Sequence, residues 1–153
     1  MKDFWYAHPI RVRYQETDQM SVVFHGNYVT WFEIGRTEWI RSMGYHYRDI
    51  EDKGLLLPVI DLAVKYVSPA IYDDMVIVCT RMKECTPLRI EFESQVRKVN
   101  NDNFFSSEYA KENELPGDLL VTGGTKHVWV NSKFQPTRIS KVMPDLYEVI
   151  TSS

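Results

Sequence analysis

The sequence predicts an α+β fold in which an antiparallel sheet wraps around one long central helix. Two observations predict it. A single stretch, residues 27–44, carries large apolar side chains at helical spacing. Beyond residue 55 the pattern changes to alternation of period two, in several segments parted by turn residues. One strand, one long helix and then a run of strands leaves a single helix to fill the concave face of the sheet.

The elements follow in chain order. Residues 9–15 (PIRVRYQ) alternate apolar and polar and read as the first strand; residues 16–26 (ETDQMSVVFHG) read as a polar loop. In the helix, Tyr28, Phe32, Gly35, Trp39 and Met43 recur at spacings of three and four, with Val29, Arg36 and Ile40 beside them. Asn27 is the expected N-cap and Gly44 the expected residue just past the C-terminus. Aromatics on much of its circumference predict a helix enclosed by other elements. YHYRDIEDKG predicts a short second helix or an ordered loop. Strands are expected near 56–67, 74–86, 88–100 and 118–131. Turns are expected at Pro69-Ala70, Tyr72-Asp73-Asp74 and Asn100-Asn101-Asp102, strand plus polar loop across 103–117, and a short terminal helix after QPTRIS.

Bulk properties narrow the function. A chain of 153 residues, 44% hydrophobic and 13% aromatic, predicts a single domain, residues 1–153, with a packed core. No run approaches the ~20 apolar residues of a membrane span, and the N-terminus lacks the pattern of a signal peptide. A net charge of -3 gives no basic face for nucleic acid. Cys79 and Cys85 lie six residues apart on one predicted strand, about 20 Å, so a disulfide between them is excluded. Both are expected as free thiols on one strand face, which fits the cytoplasm. The four histidines are not spaced as ligand pairs, so neither a metal nor another cofactor is expected. His46 and His127 read as surface or strand residues.

The loop from Tyr14 to Asn27 concentrates the reactive groups: Tyr14, Glu16, Asp18, His25 and Asn27, directly before a buried helix. A helix N-terminus presents unpaired N–H groups and a partial positive charge, which stabilise a developing oxyanion. A carboxylate on the loop feeding that terminus reaches the same place, to attack a carbonyl or to activate water.

Here the sequence resembles the 4-hydroxybenzoyl-CoA thioesterase family of hot-dog proteins. The resemblance rests on Tyr14-Gln15-Glu16-Thr17-Asp18, then Val22-Val23-Phe24-His25-Gly26-Asn27-Tyr28, and continues through Phe32-Glu33, Arg36-Thr37-Glu38, Val64-Lys65-Tyr66, Pro69-Ala70, Asp73-Asp74 and Pro136-Thr137-Arg138-Ile139. It implies a hot-dog fold and hydrolysis of acyl-CoA, with acyl carrier protein as the other possible thioester carrier. It implies Asp18 as nucleophile or general base, His25 as the residue whose backbone N–H polarises the thioester carbonyl, and Tyr14 as a third catalytic residue. It also implies a homo-oligomer, dimer or tetramer, with two sheets joined edge to edge and the pocket between subunits. Two positions depart from the family: Met20-Ser21 stands where glycine is common, and Phe24 replaces a tyrosine.

Bland readings stand beside these. Asp18 also suits a loop-capping turn, His25 a packing role and Tyr14 a core position. Asn27 is a candidate substrate-binding residue. Lys83 and Arg89, with Lys98, are candidate CoA contacts on adjacent strands, for which a solvated strand face is the alternative. Glu33 is the alternative carboxylate, about 9 Å along the helix from Asn27. The competing functions are an acyl-thioester hydratase or dehydratase of the same fold, and a non-catalytic acyl-CoA-binding domain.

Overall fold

The computed structural model describes residues 3–100 and 107–152. The elements run β1 (Phe4–Arg11), α1 (Asn27–Ser42), α2 (Tyr47–Asp52), β2 (Val59–Tyr66), β3 (Met75–Cys85), β4 (Arg89–Val99), β5 (Glu108–Lys111), β6 (Asp118–Val128), α3 (Ile139–Val142) and α4 (Pro144–Thr151). The strands form one sheet in the order β2-β6-β4-β3-β1-β5, every neighbouring pair antiparallel.

Helix α1 lies on this sheet and buries Tyr28, Trp31, Phe32, Gly35, Arg36, Trp39 and Ile40. Gly35 permits the contact: a Cβ there would stand 2.8 Å from Val78 Cγ1 and closer still to Thr80 Oγ1, so any side chain would push helix and sheet apart. The first turn of α1 joins Val23, Val76, Val78, Val96 and Val121 in one cluster. Its last turns join Met82, Ile90, Phe92 and Trp129 in a second cluster, closed over by Leu146 and Ile150 of α4. A third cluster, with Trp5, Ile77 and Cys79, occupies the other sheet face.

Three expectations are corrected. The first strand is Phe4–Arg11, not 9–15, because the aromatic N-terminal run pairs with both β3 and β5. The chain leaves the sheet into a 3₁₀ turn at Tyr14–Glu16, so Tyr14 is not on a strand. The helix N-cap is Gly26; Asn27 is the first helical residue and makes no side-chain cap. Third, Cys79 and Cys85 do not share a face. A bulge between Met82 and Glu84 inserts one residue against β4, and one residue is enough to turn Cys85 toward the helix-side cluster. Both thiols are free, and burial pushes Cys79 up to about 12 and Cys85 to about 11. Gly44 ends α1 with φ +92°, as its position required. The expected turn at 100–102 falls largely outside the described residues.

Candidate active site

The loop before α1 is built by its own backbone. Glu16, only 7% exposed, accepts the Arg13 N–H on Oε1 (2.8 Å) and the Trp31 indole N–H on Oε2 (2.8 Å), which ties the 3₁₀ turn to the helix. A carboxylate at this depth must have such partners. The Glu16 carbonyl accepts Phe24 N–H and Asn27 Nδ2–H, closing the loop from the other side. Val23 N–H donates to the Ala70 carbonyl, and Ala70 N–H to the Tyr28 hydroxyl, so the segment after β2 is locked to the same loop.

Within this frame Asp18 accepts Met20 N–H on Oδ1 at 2.8 Å, and its own N–H donates to Val22 O at 2.8 Å. This small turn fixes the carboxylate; no hydrogen bond is made by Oδ2 among the described residues. Ser21 holds it closed at φ +64°, a left-handed conformation that glycine adopts more readily, at the place where the family pattern often has glycine. Asp18 and His25 line one cavity of about 230 Å³, walled by Val22, Tyr28, Tyr66 and Val67. His25 precedes the first turn of α1. Its N–H donates to no backbone group among the described residues, while its carbonyl accepts the Tyr66 hydroxyl at 2.8 Å. The cavity therefore combines a fixed carboxylate, an unpaired N–H at a helix N-terminus and apolar walls. That set can stabilise an oxyanion while a carboxylate attacks or activates water.

The other expected residues lie elsewhere. Tyr14 is 77% exposed and packs edge-on against Tyr72, outside the cavity. Asn27 braces the loop through Glu16 and does not line the cavity. Lys83 pairs with Glu91 at 3.8 Å, and Lys98 with Asp74 at 3.4 Å. Arg89 lies seven residues along β4 from Val96, the residue that pairs with Val121 beside Tyr66. At about 3.3 Å per residue that is about 23 Å from this end of the sheet. Arg89 lines a separate cavity with Glu84, Lys126 and His127. Glu33 is exposed and borders a third cavity further along α1. Sequence reasoning counted Glu16 among the reactive groups of the loop and Tyr66 among the residues of the resemblance, but gave neither its bracing role. An acidic residue three positions after Arg13 was the available signal for Glu16; the link of Tyr66 to His25 spans 41 positions and has no local signal.

The comparisons with known proteins converge. Residues 20–103 match the family described as the thioesterase superfamily. YneP of Bacillus subtilis is 34% identical over 138 residues, 89% of this chain and 88% of that one. The chain belongs to the thioesterase superfamily. The acyl-CoA thioesterase YbgC of Haemophilus influenzae is 33% identical over 99 residues, 64% of this chain and 73% of that one. The structure of a DHNA-CoA thioesterase from Staphylococcus aureus superposes with a TM-score of 0.82 at 32% identity, over 96% of this chain and 89% of that one. The expected hot-dog architecture is thus borne out at the level of the superfamily.

Proposed function

We propose that this protein hydrolyses acyl-CoA thioesters to the free acid and CoA, with Asp18 and the His25 N–H as the reacting groups. The observation that carries the reading is their meeting in one apolar-walled cavity at the start of α1. The superfamily membership supports the reaction type, and the relatives named as CoA thioesterases support the carrier. Water, or the Asp18 carboxylate itself, adds to the thioester carbonyl. The oxyanion settles against the His25 N–H and the helix terminus, and the CoA thiolate leaves as the carbonyl re-forms, taking a proton from water. On the carboxylate route the resulting acyl–Asp18 anhydride is then hydrolysed by a water, which releases the free acid and restores Asp18. The finer assignment, to the 4-hydroxybenzoyl-CoA thioesterase family, is part of the proposal and leaves the acyl group, aliphatic or aromatic, to be decided by substrate range. So is the cytoplasmic location; no described helix is long and apolar enough to cross a membrane. Thiol release from a panel of aliphatic and aromatic acyl-CoA esters, beside acyl carrier protein thioesters, tests the reading. Turnover of none of them would sink it.

The reading includes a homo-oligomer. Strand β2 is a sheet edge whose residues Val59, Ile60, Leu62 and Tyr66 are 44–50% exposed. Such an apolar edge invites pairing. An antiparallel pairing of two copies centred on Ala63 sets Asp61 against Lys65 and Leu62 against Val64 on both sides of the two-fold axis. Light scattering should find a dimer or tetramer at micromolar concentration, and Leu62→Lys should weaken it.

A further inference from the structure

Tyr66 is the last residue of β2, and its hydroxyl donates to the His25 carbonyl at 2.8 Å. That carbonyl takes no backbone N–H among the described residues. The Tyr66 ring lines the Asp18 cavity and stands edge-on to Tyr28, 5.7 Å between centroids.

The bond falls on a peptide that can turn over. Phe24 to Asn27 form a four-residue turn, closed by Asn27 N–H on the Phe24 carbonyl at 2.9 Å. The His25–Gly26 peptide is its central one. Gly26 has φ −69° and ψ −23°, and His25 has no positive φ, which makes the turn type I. The Gly26 carbonyl then accepts Val29 N–H at 3.2 Å, and α1 begins. A glycine at this third position also suits a type II turn, with φ about +80°, in which the central peptide is reversed. The closing bond from Asn27 is compatible with both forms, so it does not choose between them. The choice bears on chemistry. With Gly26 in the helical region, its N–H runs parallel to those of the first turn of α1 and adds to the positive end of the helix. It donates to no backbone group among the described residues. Reversal puts the His25 carbonyl oxygen there instead, and a carbonyl oxygen repels an oxyanion.

We propose that Tyr66 is a positioning residue: from β2 its hydroxyl holds the His25–Gly26 peptide with the N–H, and not the carbonyl, at the oxyanion end of α1. The inference rests on the thioester hydrolysis proposed above. Tyr66→Phe tests it, because it keeps the ring in the cavity wall and removes only the hydroxyl. On the best acyl-CoA, kcat should fall about three- to tenfold with KM nearly unchanged, the factor that loss of one neutral hydrogen bond supports. NMR relaxation dispersion at the Gly26 amide should show exchange in Tyr66→Phe that wild type lacks, as the peptide turns over. Rescue separates positioning from packing. Alanine is strained at φ about +80°, so Gly26→Ala disfavours the reversed form. The nearest atoms to a Cβ there belong to the Phe24 ring, the first at 2.8 Å, and that exposed side chain can swing clear. On a Gly26→Ala chain, the loss caused by Tyr66→Phe should shrink to less than about twofold. Should Gly26→Ala fail to fold, the dispersion measurement decides instead. An active wild type with equal kcat in Tyr66→Phe overturns the inference and leaves the hydrolase reading standing. A rise in KM alone, an undiminished loss on the Gly26→Ala chain, or no exchange at Gly26 does the same. No turnover by wild type removes both.

Discussion

The two cavities along α1 differ in how their polar groups are held. In the Asp18 cavity the carboxylate is fixed by a backbone N–H two residues away, and the expected oxyanion donor is also backbone. In the third cavity, beside Glu33 and Arg36, the groups come from α1, α2, the segment before β2, and β6, and they meet only because the sheet brings β6 under the helix. The first arrangement is local and positions a half-buried group through its own turn. The second is non-local; it buries a guanidinium of which Nη1 has no hydrogen-bond partner and keeps a neighbouring histidine neutral. A site for making and breaking bonds needs the first property.

The largest expected effect separates the two cavities directly. Asp18→Asn retains the acceptor for Met20 N–H and should fold, yet lose a factor of about 10² to 10⁴ in kcat, about 3–5 kcal/mol of barrier. Glu33→Gln, on the other cavity, should stay within severalfold of wild type. Steady-state rates on the best acyl-CoA, with thermal melts to verify folding, decide the matter. If Glu33→Gln collapses while Asp18→Asn works, the roles of the two regions are reversed.

A smaller effect is expected from His127. Its pKa is about 4 in the folded chain against 6.5 when unfolded, because burial disfavours the imidazolium. The unfolded chain therefore takes up a proton that the folded chain refuses. The stability from neutral His127 is complete above pH 6.5 and is lost as pH falls from there toward 4, by up to about 3 kcal/mol. Melting temperature should fall more steeply across that window in wild type than in His127→Gln. Parallel curves would mean that this histidine is not protected from protons by the fold.

The smallest effect tests the local turn. Ser21 sits at φ +64°, so Ser21→Gly should relieve a left-handed strain of ~1 kcal/mol, partly offset by the greater freedom of glycine in the unfolded chain. A slight rise in melting temperature with kcat nearly unchanged is expected. A large fall in kcat would show that the rigidity of this turn aims the carboxylate.

Much of the architecture was legible because it is periodic. The helix face, β3, β4 and β6 were visible from spacing, and Gly44 from its place after the last helical residue. The first strand was misplaced because PIRVRYQ alternates as well as the run before it; pairing with β5 as well as β3 favours the earlier segment. The two cysteines show the same limit. Parity along a strand predicts one face, and one inserted residue opposite β4 cancels it.

By itself the sequence determined the α+β class, the helix and its buried side, and the loop that carries Asp18 and His25, because each depends on interactions among residues within a few positions of one another. Only the tertiary structure decided that Tyr66 reaches the His25 carbonyl, that Lys83 and Arg89 stand at the far end of the sheet, and that Arg36 is buried with an unpaired Nη1. Those facts depend on strand order and register. Register is set by the packing of a whole face at once, so no single segment of the chain encodes it.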